Sequence, residues 1–290
     1  MRLMRYAGLL VLLCCSVTVE AADALDKRMK AEEWDAYRPF SLIPHKNNYL
    51  MPLTYVDGIA GTLNRDGVSA ASDNIEAKFQ LSLKTPLWTR IYKDNGYLFF
   101  AFTQQAFWQA YNSEVSSPFR ETNYEPELIL MLPHYRNYEE AASRILSLSL
   151  SHQSNGRAGE LSRSWNRLKL SWVTSVGNVF INFEPWYRFS ESPKSSPEDP
   201  KGDDNPDITK YMGWFELSAA YKQDEATWRM MLRNNLRSDN KGAVRLSYSR
   251  PFNQHIRLYV ELFSGYGESM IDYDRSVTRF GIGFELNDIL

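Results

Sequence analysis

From Tyr49 onward the chain alternates apolar and polar positions with a period of two. Successive side chains of an extended strand point to opposite faces, so this spacing predicts strands and not helices. Ala77, Phe79, Leu81 and Leu83 alternate with Lys78, Gln80, Ser82 and Lys84. Leu146, Leu148 and Leu150 alternate with Ser147, Ser149 and Ser151, and Leu168, Leu170 and Trp172 with Arg167, Lys169 and Ser171. Leu258, Val260 and Leu262 alternate in the same way with Arg257, Tyr259 and Glu261. Twelve candidate strands follow, over 49–56, 77–87, 97–109, 123–132, 144–154, 164–175, 178–189, 208–221, 226–236, 242–249, 256–267 and 275–290. Many run about ten residues, the length that crosses a bilayer at a tilt. One phase is leucine and aromatic; the other carries charges such as Arg167, Lys169, Arg229 and Arg233, which suit the hydrated interior of a membrane barrel.

The connections point the same way. Long polar loops at 57–76, 110–122, 155–163 and 190–207 fall at one end, and short turns near 176 and 222–225 at the other. Outer-membrane barrels show this asymmetry, although the turn from Pro133 to Ser143 is longer than the rule predicts. The expected fold is all-β, a twelve-stranded antiparallel transmembrane β-barrel over 49–290.

Residues 1–21 read as a secretory signal: Arg2 and Arg5, an apolar stretch from Gly8 to Cys15, then Val19-Glu20-Ala21 before Ala22. Both cysteines, Cys14 and Cys15, lie inside it, so the exported chain lacks a disulfide framework. Residues 22–48 are polar and charged and are expected as a periplasmic extension outside the main fold, with a short helix around Lys27 to Trp34. The mean hydropathy of -0.44 excludes a helical membrane protein. With 33 basic against 35 acidic residues, the chain lacks the charge of a nucleic-acid binder.

Chemistry shows where the alternation breaks. Continuing the Leu146, Leu148, Leu150 phase gives His152 and Ser154, and following Trp172, Leu170 and Leu168 backward gives Asn166. All three are therefore expected on the outward face, near one rim, on strands joined through 155–163. Polar groups facing lipid are costly and mark functional sites. A Ser beside a His that a third group orients is the logic of acyl transfer. A single rim His or Ser is ordinarily an interfacial residue; three complementary ones on one patch are harder to explain that way. His45, His134 and His255 have no nucleophile placed beside them. Gln104 is a second anomaly, an amide in the lipid phase of Leu98, Phe100, Phe102 and Trp108, where a symmetry mate could supply its partner.

At His152-Gln153-Ser154-Asn155-Gly156-Arg157 and Ser162-Arg163-Ser164-Trp165-Asn166-Arg167 the sequence resembles outer-membrane phospholipase A of Gram-negative bacteria. The resemblance extends to Asn112-Ser113-Glu114, Ser116 to Pro126, Asp203 to Gly213, Ser264 to Asp272 and Leu286-Asn287-Asp288. It implies calcium-dependent hydrolysis of the sn-1 and sn-2 acyl esters of phospholipids and lysophospholipids, with homodimerisation as the activating step. Ser154 would be the nucleophile, His152 the base, Asn166 its orienting group, and the Gly156 amide part of the oxyanion hole. Calcium would be held by the Arg157 carbonyl, the Ser162 hydroxyl, the Ser116 carbonyl from the partner subunit, and Asp204 through water. A second family acid falls on Gly159, which has no carboxylate, with Glu160 beside it. A passive outer-membrane pore is the competing reading, and a barrel protease is a weaker third, since Asp203, Asp204 and Asp207 are acidic but lack a matching second His nearby.

Overall fold

The structure, a computed structural model, describes residues 20–286 apart from 39–40, 60–61, 66–67, 93–94, 115, 135–143, 177, 197–198 and 200. Most of the expected signal and the long turn after Pro133 lie outside the described residues. After helix α1 (Glu20–Ala36) come β1 (Ile43–Pro44), β2 (Tyr49–Asp57) and the hairpin β3 (Thr62–Arg65) and β4 (Val68–Ala71). Then follow β5 (Ile75–Tyr92), β6 (Asn95–Trp108), β7 (Phe119–His134), β8 (Arg144–Ser154), β9 (Ser164–Val176) and β10 (Val179–Phe189). A short helix, α2 (Ile208–Met212), precedes β11 (Phe215–Gln223), β12 (Ala226–Asn234), β13 (Gly242–Pro251), β14 (Arg257–Gly265) and β15 (Val277–Glu285).

Strands β5 to β15 pair in sequence order, and β2 bridges β15 and β5, closing an antiparallel ring of twelve. Closure leaves the ring of twelve without a free edge, a requirement for strands that lie in lipid. β1 runs along β5 beyond the end of β2, pairing Ile43 with Lys84. The alternation read from the sequence is the alternation of the wall: Leu146, Leu148 and Leu150 are exposed, while Ser149, Ser151, Arg167 and Lys169 are buried toward the lumen.

The inward charges mostly neutralise one another. Lys78 reaches Glu261 at 2.6 Å and Glu268 at 2.9 Å; Arg279 reaches both Glu76 and Glu268 at 2.7 Å. Glu125 accepts from Arg167 at 2.8 Å and Lys169 at 3.2 Å. A buried charge without a partner carries a large desolvation cost, so this pairing is what lets a charged phase fill a lumen. A cavity of about 490 Å³ remains among Arg167, Lys169, Arg233, Arg245, Glu125 and Glu216.

Three expectations need correction. The segment 22–48 does not stand outside the fold: Met29 of α1 packs on Phe180, Ile145 and Val173, and Ala36 on Tyr97, Phe99 and Ile129, all inward-facing. The helix is also longer than Lys27 to Trp34. Glu32 holds it to the wall through Lys84 at 2.7 Å; burial raises the Glu32 pKa, but Lys84 and Arg28 outweigh that and lower it to about 2. Second, the strand expected over 208–221 starts only at Phe215. Residues 208–212 are helical because Ile208 and Met212, one turn apart, bury together against Trp165, Trp186 and Met270, and Gly213 at φ +71° ends the turn. Third, the loop 57–76 contains the hairpin β3–β4. The last strand ends at Glu285, and 287–290 lie outside the described residues.

Candidate active site

The hairpin β8–β9 sets the site. Its register pairs His152 with Asn166 and Ser154 with Ser164. Gln153 and Arg167, the neighbours in the opposite phase, line the lumen cavity, so His152, Ser154 and Asn166 share the outward face. His152 is exposed, and Ser154 and Asn166 are half-buried. The imidazole Nδ1 of His152 lies 2.8 Å from Asn166 Oδ1, and Asn166 Nδ2 donates to Glu191 Oε1 at 2.8 Å. The amide oxygen therefore accepts from Nδ1–H, which leaves the lone pair on Nε2. Ser154 is two residues away on the same face, roughly 6.6 Å along the strand. Among the described residues its hydroxyl makes no hydrogen bond, with His152 or any other side chain.

The loop 155–163 is held by one buried residue. The Asn155 amide donates to the Leu161 carbonyl at 2.8 Å and accepts from the Arg163 N–H at 2.9 Å, while its own N–H bonds the Arg163 carbonyl at 3.0 Å. Gly156 follows at φ +66°, and a Cβ there would sit 3.2 Å from the Tyr124 ring, so this turn requires glycine. Tyr124 is itself the register partner of Ser154 on β7. Arg157 is pinned by Glu121 at 3.3 Å and by the Arg120 carbonyl.

Two of the other predicted ligands, Ser162 and Asp204, meet beside this loop. Ser162 Oγ and Ser164 Oγ both donate to Asp204 Oδ2 at 2.9 Å, and the Lys194 ammonium pairs with Asp204 Oδ1. Burial raises the Asp204 pKa, but Lys194, Ser162 and Ser164 more than offset that and hold it below the usual carboxylate value. Among the described residues no three His, Cys, Asp or Glu side chains form a metal cluster, so a cation here must draw on carbonyls and hydroxyls. The donors present are the hard oxygens calcium prefers, and they fit it. Gly159, at φ +64°, faces open space. Ser116 lies on the separate loop between β6 and β7 in a left-handed conformation, φ +55°.

Residues 25–286 match the phospholipase A1 family. The chain belongs to that family. Phospholipase A1 of Salmonella typhimurium is 42% identical over 257 residues, 87% of this chain and 83% of the relative, and that of Escherichia coli K12 is 40% identical over 256 residues with the same coverage. The structure is similar to the calcium-bound dimer of Salmonella typhi outer-membrane phospholipase, with a TM-score of 0.77 and 38% identity over 88% of this chain and 95% of that one. The Escherichia coli outer-membrane phospholipase A gives a TM-score of 0.75 at the same identity and coverage. The protein is an outer-membrane phospholipase, and the passive-pore reading falls away. The protease reading also loses its acids: Asp203 is clamped by Arg188 at 2.5 Å and Asp207 accepts from Tyr273 at 2.6 Å.

Sequence reasoning missed Tyr124, Ser164, Lys194 and Glu191. Glu191 had a signal, since it continues the outward phase of Tyr187 and Phe189 past the end of β10. Lys194 had none; only the fold of the loop after β10 brings it to Asp204.

Proposed function

We propose that Ser154, His152 and Asn166 hydrolyse the sn-1 and sn-2 acyl esters of phospholipids and lysophospholipids at the membrane surface. The observation that carries this reading is the His152–Asn166 hydrogen bond on the outward face beside Ser154. Nε2 of His152 takes the Ser154 proton as Oγ attacks the ester carbonyl, then returns it to the departing glycerol oxygen. Water, deprotonated by the same imidazole, then releases the fatty acid. Free serine–histidine pairs are often loose and tighten only with substrate, and two residues on one strand face are within side-chain reach. The Gly156 N–H donates to the developing oxyanion.

Ser162, the Arg157 carbonyl, Asp204 through water and the Ser116 carbonyl of a second copy would hold calcium, which would supply positive field to that oxyanion. Needing a second copy to complete the cation site makes dimerisation the switch. An enzyme whose substrate is the membrane around it stays silent as a monomer. The lipid ester approaches from outside the barrel and never enters the lumen.

The test is fatty-acid release from phospholipid mixed micelles by Ser154→Ala. Loss of activity by about 10⁴-fold or more is expected, as for other serine hydrolases stripped of their nucleophile. Undiminished release removes Ser154 from the mechanism.

A further inference from the structure

We infer that Glu191 is a positioning residue for the triad, fixing which way the Asn166 amide faces; this rests on the assignment of Ser154, His152 and Asn166 above. An asparagine side chain can present either its oxygen or its nitrogen to a neighbour. The two choices have opposite effects on His152. With Oδ1 toward Nδ1, the imidazole carries its proton on Nδ1 and keeps a lone pair on Nε2 for the Ser154 hydroxyl. With Nδ2 toward Nδ1, the stable tautomer carries its proton on Nε2 and cannot accept one from serine.

A neutral amide does not decide this by itself, whereas a carboxylate in the same place is acceptor-only on both oxygens. Glu191 supplies that missing bias. Its Oε1 sits 2.8 Å from Asn166 Nδ2, and an ionised carboxylate accepts and does not donate. The amide nitrogen is thereby held toward Glu191 and the oxygen toward His152. Imidazole, amide and carboxylate form one directed row on the face that Ser154 shares.

The backbone around Glu191 is built to keep it there. Phe189 is the register partner of Asn166, and Glu191 lies two residues further in the same outward phase. Just beyond it the loop folds back on itself: the Asp203 N–H bonds the Ser192 carbonyl at 2.9 Å, and Pro193 bridges to Asp203. Gly202, at φ +104°, permits that approach, since a Cβ there would lie 2.8 Å from the Ser192 oxygen. Arg188 then locks Asp203 with contacts of 2.5 and 2.6 Å. A carboxylate at a lipid-facing rim is costly when unpaired; this one has an oxygen engaged by the Asn166 amide.

The experiment is a double-mutant cycle on the full-length protein in detergent micelles at saturating calcium, reading kcat and KM on a phospholipid. Glu191→Leu should lower kcat by about five- to tenfold, the scale of one charge-assisted hydrogen bond, with KM unchanged. Glu191→Gln, whose amide can turn either its oxygen or its nitrogen to Asn166, should recover only part of kcat. In an Asn166→Ala background Glu191→Leu should cost nothing further, because Glu191 acts only through that amide. An equal loss in both backgrounds, or no loss in Glu191→Leu, overturns the assignment. Glu191→Ala repeats the cycle if the leucine perturbs folding, and unchanged thermal unfolding midpoints verify that the fold is intact. Ser154→Ala is run alongside: if it keeps its activity, the triad itself is wrong; if it is dead while the cycle shows no coupling, only Glu191 is.

Discussion

Gln104 and Ser154 stand at the same level of the barrel wall with Tyr124 between them: Gln104 pairs with Tyr124 across β6–β7, and Tyr124 with Ser154 across β7–β8. Strands lie about 4.8 Å apart, so Gln104 and Ser154 are roughly 10 Å apart on the outward surface. Phe102 and Leu81 flank Gln104 on that face, and among the described residues nothing hydrogen-bonds its amide. A second copy docking on this amide would therefore come down beside Ser154.

Gln104→Leu should weaken dimerisation by about three- to tenfold, the range of single interhelical or intersubunit polar contacts in membranes. Sedimentation equilibrium in detergent with a substrate analogue and calcium reads this directly. An unchanged association constant would move the interface to another face.

Gly159→Asp should tighten calcium binding. The position is glycine for its φ of +64° and not for lack of room, because a Cβ there meets nothing within 4 Å. Aspartate is among the residues that tolerate the left-handed region. A further carboxylate in a cation site of carbonyls and hydroxyls should lower the calcium Kd by about tenfold. Isothermal titration calorimetry checks it, and an unaltered Kd would mean that the loop does not border the ion.

Lys194→Met should act in the same direction by a different route. The ammonium lies on Asp204 Oδ1, so a cation entering beside Ser162 meets a like charge already in place. Removing it should raise calcium affinity severalfold without altering kcat at saturating calcium. Weaker binding in the variant would make Lys194 a brace for Asp204 and not a competitor.

Acid should loosen the rim end of the lumen through Glu268. Burial raises its pKa, but Arg279 and Lys78 overcome that and lower it to about 2 from the ordinary 4.5. A carboxyl depressed on folding stabilises the folded state fully above its unfolded value and progressively less as pH falls toward the folded one. The contribution of Glu268 should thus be flat from pH 7 to 5 and decline between about 4.5 and 2, by roughly 3 kcal/mol. Glu268→Gln should lose most of that decline and be less stable at pH 7, because Arg279 and Lys78 lose a shared partner. Urea unfolding across this pH range is the measurement; parallel curves for the two proteins would exclude Glu268 as the source.

The barrel was legible because lipid enforces a strict period: each outward leucine, and each lapse into His152, Ser154 or Asn166, follows from counting by two. The strand limits 144–154 and 164–175 agree with β8 and β9 almost to the residue. What escaped the counting is contact between segments whose spacing has no period. Ile208 and Met212 read as alternating strand positions, yet a four-residue repeat buries them together. The polar stretch before Tyr49 looked like solvent-exposed chain because its few apolar residues, Met29 and Ala36 among them, are too sparse to signal a packed helix. Lys194 and Asp204 are neighbours only because a loop doubles back between them.

Glu125 ties the strands that carry His152 and Asn166 together from behind. Ser151, next to His152, donates to it at 2.8 Å, and Arg167, next to Asn166, reaches the same oxygen at 2.8 Å. His152 and Asn166 thus meet a fluid on one side and an ionic keel on the other. Thermal disorder of the acyl chains has little purchase on their spacing, since the backbone bearing them is moored to an anchor that lipid cannot touch.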